Sequence, residues 1–240
     1  MKFNNPKVKN CIDLVYDLIL LGLLYAFLYI LSMSLCFHCE KLHKTNPEGE
    51  FMINIENSCC FTGYRPDKFD FEFDKNDPRY IEFTGRLVSA VTTKISEGCT
   101  TFYTGMAKGF DIEAAEYIEL IKRRNKALKL IAVVPYKNFE SCFDEYWQTR
   151  YRNLLSQCDE TVILYDKYER WVFHERNRYM VDRCRYVITY FDGKSGGTAN
   201  TVKYALKNGR EVLNIFDTDP SAKEKAKLKA YFGLIPPESD

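Results

Sequence analysis

Thr101-Phe102-Tyr103-Thr104-Gly105-Met106-Ala107-Lys108-Gly109-Phe110-Asp111 decides the fold of this chain. A short strand runs into a turn bracketed by two glycines. From 111 to 125 the apolar residues then recur at helical spacing, with Ile112, Ala115, Ile118 and Ile121 on the inward side. The same strand–turn–helix unit repeats in both directions. Upstream, Cys59-Cys60-Phe61-Thr62 reads as a strand ending at Gly63. A helix over 80–96 follows, with Ile81, Leu87, Val88, Val91 and Ile95 inward, and Gly98 closes it. Downstream, strands are expected at 128–134 (stopped by Pro135), 161–165, 186–191 and 211–216. Helices over 146–157, 175–183 and 198–207 separate them, and Asn208-Gly209 ends the last one.

Strands that alternate with helices make a parallel sheet covered on both faces. The strands here are continuous apolar runs, as strands buried on both faces should be. The expected fold class is therefore α/β: a Rossmann-like three-layer domain over 52–218 with a mostly parallel sheet. Hydrophobic residues make up 46% of the chain and charged residues 28%, enough apolar material for such a core. A formal net charge of +1 argues against a protein whose main task is to wrap a polyanion. Nine cysteines without regular spacing read as reduced, buried thiols rather than a disulfide framework. Cys36 and Cys39, with His43 nearby, have no second pair to complete a zinc set, so no metal site is expected.

The first 51 residues differ from the rest. From 18 to 37 the chain carries no charge, which is about the length of a membrane-crossing helix. Lys2, Lys7 and Lys9 on one side and Lys41 and Lys44 on the other leave its orientation open. On this reading the domain is cytoplasmic and a single pass anchors it. A second reading stands beside it. Glu48-Gly49-Glu50-Phe51 precedes Met52, and codons for that stretch can spell a ribosome-binding sequence. Translation would then begin at Met52, with 1–51 a leader. At the other end, 219–240 is a lysine-rich and then acidic tail.

In an open parallel sheet, ligands bind beyond the carboxyl ends of the strands, where helix N-termini point their free amides. Three glycine turns fall there. Gly63-Tyr64-Arg65-Pro66 places a guanidinium at the first strand end, where it can take a phosphate or carboxylate. In the second turn, Gly105, Lys108 and Gly109 bring backbone close to a ligand, and Asp111 either meets a ribose hydroxyl or caps the helix. The third, Asp192-Gly193-Lys194-Ser195-Gly196-Gly197-Thr198 with Thr201 beyond, has the glycines and hydroxyls of a phosphate-binding turn but not the order of a Walker loop. Arg176 and Asn177, on the preceding charged helix, either face the cleft or belong to a solvated surface. The basic run at 122–129 reads as a solvated helix end.

Taken together, Cys-Cys-Phe-Thr-Gly-Tyr-Arg-Pro at 59–66, Thr-Gly-Met-Ala-Lys-Gly-Phe-Asp at 104–111, Arg-Asn-Arg-Tyr-Met-Val-Asp at 176–182 and Gly-Gly-Thr-Ala-Asn-Thr-Val at 196–202 resemble the YpsA-like branch of the SLOG superfamily. DprA DNA-processing proteins and LOG phosphoribohydrolases belong to the same superfamily. The resemblance covers nearly all of 58–216. It implies a Rossmann-like domain that binds a nucleotide or an ADP-ribose-like ligand, with no further cofactor. The branch usually reads Gly-His-Arg-Pro in the first motif; Tyr64 replaces that histidine. LOG enzymes carry a catalytic glutamate shortly after their Gly-Gly-x-Gly-Thr turn, whereas Val202, Lys203 and Tyr204 follow here. No catalytic residue can therefore be assigned, and the resemblance favours binding over catalysis. Glu113, Glu116 and Asp182 are left as substitutes. Single-stranded DNA binding and N-glycosidic hydrolysis remain alternatives, nucleic acid being disfavoured by the charge. A homodimer is also open, because related folds often dimerise.

Overall fold

The computed structural model describes residues 55–216 apart from residue 75. The hydrophobic stretch 18–37, Cys36, Cys39, Met52 and the tail 219–240 lie outside the described residues. Among the described residues, no helix is long and apolar enough to cross a membrane.

Six strands form one sheet: β1 (Ser58–Gly63), β2 (Thr101–Thr104), β3 (Lys129–Tyr136), β4 (Glu160–Tyr165), β5 (Tyr186–Tyr190) and β6 (Glu211–Asn214). Their spatial order is β4-β3-β2-β1-β5-β6, and every pairing is parallel. The helices are α1 (Pro78–Ser96), α2 (Phe110–Lys122), α3 (Glu145–Leu155), α4 (Val172–Asp182) and α5 (Gly197–Lys207). Right-handed crossovers put α1, α2 and α3 on one face and α4 and α5 on the other, because the chain reverses direction after β4. Each face has its own core. Phe61, Phe102, Phe110 and Ile188 belong to the larger one; Cys60, Val133, Met180, Val181 and Val187 belong to the smaller.

The strands and helices expected between 59 and 216 are all present, with shifts that have physical causes. β3 does not stop at Pro135. The proline leaves out one N–H donor, but its fixed φ suits extended backbone, and the ladder to β4 resumes at Tyr136↔Tyr165 with Lys137 N donating to Tyr165 O at 3.1 Å. α4 starts at Val172, earlier than 175. Its first turn is set by packing: Val172 is fully buried, and Trp171 at the cap offers no side-chain hydrogen bond. Cys59, Cys60, Cys99 and Cys184 are buried and unbridged, as expected of structural thiols. Burial holds the thiols of Cys59 and Cys60 well above their usual range, which keeps them protonated.

Candidate functional site

The strand order reverses between β1 and β5, and a crevice opens at such a point beyond the strand ends. The turns after β1, β2 and β5 meet there. Phe110 N donates to Tyr64 O at 3.1 Å, and Thr198 Oγ1 donates to Gly63 O at 3.1 Å. Tyr64 Oη donates to Asp192 Oδ1 and accepts from Asp192 N at 3.2 Å. The glycines are required by this crowding. A Cβ on Gly63 would run into the Phe110 ring. Gly109 has φ +88°, and a Cβ there would lie 2.6 Å from Tyr64 O.

Under the second turn lies a buried ionic centre. Arg176 Nη1 donates to Gly105 O and stands 3.6 Å from Asp111 Oδ2. Both side chains are buried. Gly105 must lack a side chain, since a Cβ would overlap the Arg176 guanidinium. Asp111 does not cap α2; Gly109 holds the cap position, and Asp111 is buried with its carboxylate beside the Arg176 guanidinium. Burial raises its carboxyl to about 6 against the pull of the Arg176 charge, the backbone around Ala107 and Gly63, and the Arg65 charge. Met106, fully buried, holds a left-handed φ of 57° between Gly105 and Ala107. Such backbone persists only where its surroundings fix it.

The rim is different. Arg65 is exposed, its Cζ 5.6 Å from the centroid of the Phe173 ring, and among the described residues no carboxylate forms an ion pair with it. Lys68 Nζ lies 5.3 Å from the Tyr64 ring centroid and 3.6 Å from where a Cβ of Gly196 would be. Gly196, with φ 155°, caps α5, and Thr198 ties the first turn of this helix to the end of β1, so its free N–H groups lie at the same strand ends.

Gly63, Arg65, Gly105, Gly109, Asp111, Arg176, Gly196, Gly197 and Thr198 thus gather at the switch point. Lys108 turns away to α3, 3.5 Å from Asp144 and over the Phe143 ring. Asn177 and Thr201 bond each other at 2.6 Å and line a groove of about 540 Å³ between α4 and α5.

The family model for YpsA, described as the YspA SLOG family, matches residues 59–226. The chain belongs to the YpsA SLOG family. It is 25% identical over 144 residues to the uncharacterized SPbeta prophage-derived protein YoqJ of Bacillus subtilis (strain 168), covering 55% of this chain and 84% of that protein. It is 24% identical over 155 residues to a UPF0398 protein of Bacillus pumilus (strain SAFR-032), covering 64% and 81%. Among solved structures, DNA processing protein A (DprA) from Streptococcus pneumoniae superposes with a TM-score of 0.42 at 19% identity. That superposition covers 65% of this chain and 49% of DprA.

In this YpsA SLOG chain the three substitute acids are engaged elsewhere. Arg150 Nη2 holds Glu113 at 2.7 Å and Glu116 at 2.5 Å, and Tyr80 Oη donates to Glu113 at 2.9 Å. Asp182 ends α4 at the opposite edge of the sheet, where Tyr204 Oη donates to it at 2.9 Å. One feature of the rim escapes a reading by motifs. Phe69-Asp70-Phe71-Glu72-Phe73-Asp74 alternates aromatic and acidic residues, and its rings pack against Tyr80, Phe83 and Trp147. That period of two was the signal available in the sequence.

Proposed function

We propose that the crevice between the ends of β1 and β5 binds a phosphate-bearing nucleotide or nucleotide derivative, and that the domain works as a binding module rather than as a hydrolase. Arg65 carries this reading: an exposed guanidinium at a strand end, unpaired by any described carboxylate and braced on Phe173. A guanidinium so placed is suited to bidentate phosphate contact, and the amides that open α5 add donors on the other side. Membership in the YpsA SLOG family supports a nucleotide-related ligand. The residues after the α5 turn, Val202, Lys203 and Tyr204, offer no acid for glycosidic cleavage.

The test is a thermal-shift screen of the full chain against AMP, GMP, ATP, NAD and ADP-ribose, with Arg65→Ala alongside. A ligand at 100 times its Kd stabilises the native state by about 2.7 kcal/mol, which is readily seen as a rise in Tm. Arg65→Ala should weaken binding by about 1.5–3 kcal/mol, the worth of a charge-assisted hydrogen bond. Its unliganded Tm should barely move, because the side chain is exposed. The absence of a shift with every phosphate ligand would sink the proposal.

A further inference from the structure

Beside the phosphate rim is a cavity of about 350 Å³ walled by Pro66, Phe71, Phe73, Tyr146 and Trp147. Its remaining lining residues are Glu72 and Asp74. Two links join it to the crevice. Pro66 directly follows Arg65 and lies against the cap of α2, its Cδ 3.1 Å from where a Cβ of Gly109 would stand. Lys108, from the second glycine turn, reaches Asp144 at 3.5 Å, and Asp144 caps the first turn of α3 that carries Tyr146 and Trp147. The cavity therefore sits at the same edge of the sheet as Arg65, one proline away from it.

Its chemistry is specific. The walls are flat rings held in place. Phe73 meets Trp147 edge-on at 5.4 Å, Arg150 lies over the Trp147 ring at 4.6 Å, and Phe69 and Phe71 back the loop at 5.0 Å from each other. Tyr146, 54% exposed, leaves one aromatic surface open for stacking. Two of the polar groups at the mouth, Glu72 and Asp74, are carboxylates that can only accept; the Tyr146 hydroxyl beside them accepts from Arg150 Nη1 at 3.1 Å. Glu72 makes no hydrogen bond or ion pair with any described residue. Asp74 Oδ1 accepts from Asn76 N at 2.9 Å and Asn76 Nδ2 at 3.0 Å, which fixes the carboxylate with Oδ2 uncommitted. Carboxylates want N–H donors. Among the common bases only guanine presents two adjacent donors, N1–H and the N2 amino group, to one carboxylate. Adenine and cytosine place a ring-nitrogen acceptor next to their amino group, which a carboxylate repels.

Resting on the nucleotide reading above, we propose that this cavity is the base subsite and that it selects guanine, with the phosphate at Arg65. Stacking supplies the affinity, and Glu72 and Asp74 supply the choice of base.

Titration calorimetry on the full chain with GMP, IMP, AMP, UMP and ribose 5-phosphate tests this. IMP keeps N1–H and lacks the N2 amino group. GMP should bind about tenfold or more tighter than IMP and AMP, since one unmade hydrogen bond to a charged group is worth at least that much. Glu72→Gln and Asp74→Asn together should bring GMP close to IMP while leaving ribose 5-phosphate affinity unchanged. Tyr146→Ala should weaken every nucleotide but not ribose 5-phosphate. All three positions are exposed, so the variants should fold. If all the phosphates bind alike, Arg65→Ala abolishes binding, and the cavity variants change nothing, the base subsite is overturned and the phosphate site stands. A preference for AMP over GMP overturns the guanine assignment. Failure of every ligand, ribose 5-phosphate included, overturns both proposals.

Discussion

Arg176 and Arg65 both reach the C-terminal edge of the sheet, yet one is buried in an ionic centre and the other is exposed over an aromatic ring. Arg176 is spent on the protein itself. It holds Gly105 O and Asp111, so the turn after β2 and helix α4 are locked together across the sheet. Arg65 forms no ion pair with a described carboxylate; its charge is felt by Asp111 and it rests over Phe173, but its guanidinium stays exposed and available to a ligand. The comparison teaches that the site has two parts with different chemistry: a buried scaffold of charges that shapes the turns, and an exposed rim to which the proposed binding is assigned. Substitutions in the first should act on stability, and substitutions in the second on affinity.

The largest test of that division is Arg176→Leu. Removing one partner of a buried ion pair leaves Asp111 uncompensated, which typically costs about 3–5 kcal/mol. Chemical denaturation of the variant should show a loss of that size, or no folded protein at all. A variant that keeps its stability and loses only ligand affinity would break the comparison, because Arg176 would then belong with Arg65.

Acid titration sharpens it next. The carboxyl of Asp111 is raised to about 6 in the fold, chiefly by burial. A raised carboxyl means that the native state holds its proton more tightly than the unfolded chain. Its contribution is present below the unfolded value near 4 and is lost as pH rises through 6, with a slope of at most about 1.4 kcal/mol per pH unit. Asp192 on the rim has the opposite sign. Burial works against it, but hydrogen bonds from Lys194 and Tyr64 and the Lys194 charge bring it down to about 2. Its contribution is present above pH 4 and is lost as pH falls toward 2. Urea unfolding midpoints of the wild type and Asp111→Asn between pH 4 and 7 should diverge, the wild type losing stability relative to the variant as pH rises. Parallel curves would mean that Asp111 is already ionised at pH 4, and hence better paired with Arg176 than its burial implies.

The sequence made the glycines of this division legible and the charges illegible. Gly63, Gly105 and Gly109 could be placed because each is required where it stands: a ring, a guanidinium or a carbonyl occupies the space a Cβ would need. Three such turns at strand ends are visible as a pattern, and so is the parallel sheet that carries them. Arg176 and Asp111 are a different matter. A charged residue in a string reads the same whether water or another chain segment surrounds it. Only the fold brings Asp111 under Arg176, 65 positions away, and turns it inward from the helix end it was open to capping. The aromatic cavity beside Pro66 was hidden for the same reason. Its walls come from a loop before α1 and from the start of α3, and no local spacing connects them.

Tyr64 sits on the boundary between the two parts and gives the smallest effect. It stands where the branch usually has histidine. Here its hydroxyl joins the turn after β1 to the turn after β5 through Asp192. Burial and Asp192 raise this phenol to about 12, so at neutral pH it remains a hydrogen-bond donor. Tyr64→Phe keeps the ring, including its edge contact with Tyr190, and removes only the bridge. Asp192 is partly exposed and can turn to water, so the loss in stability should be about 0.5–1.5 kcal/mol, the net worth of an ordinary hydrogen bond. The Asp192 carboxyl should also titrate higher, because one donor that lowers it has gone. Calorimetry then decides which side Tyr64 belongs to. Affinity within about twofold of wild type, a difference of about 0.4 kcal/mol, would make the bridge part of the scaffold. A tenfold loss of phosphate affinity with little change in stability would place the spacing of the two turns, and not only the Arg65 guanidinium, among the things the rim uses to hold its ligand.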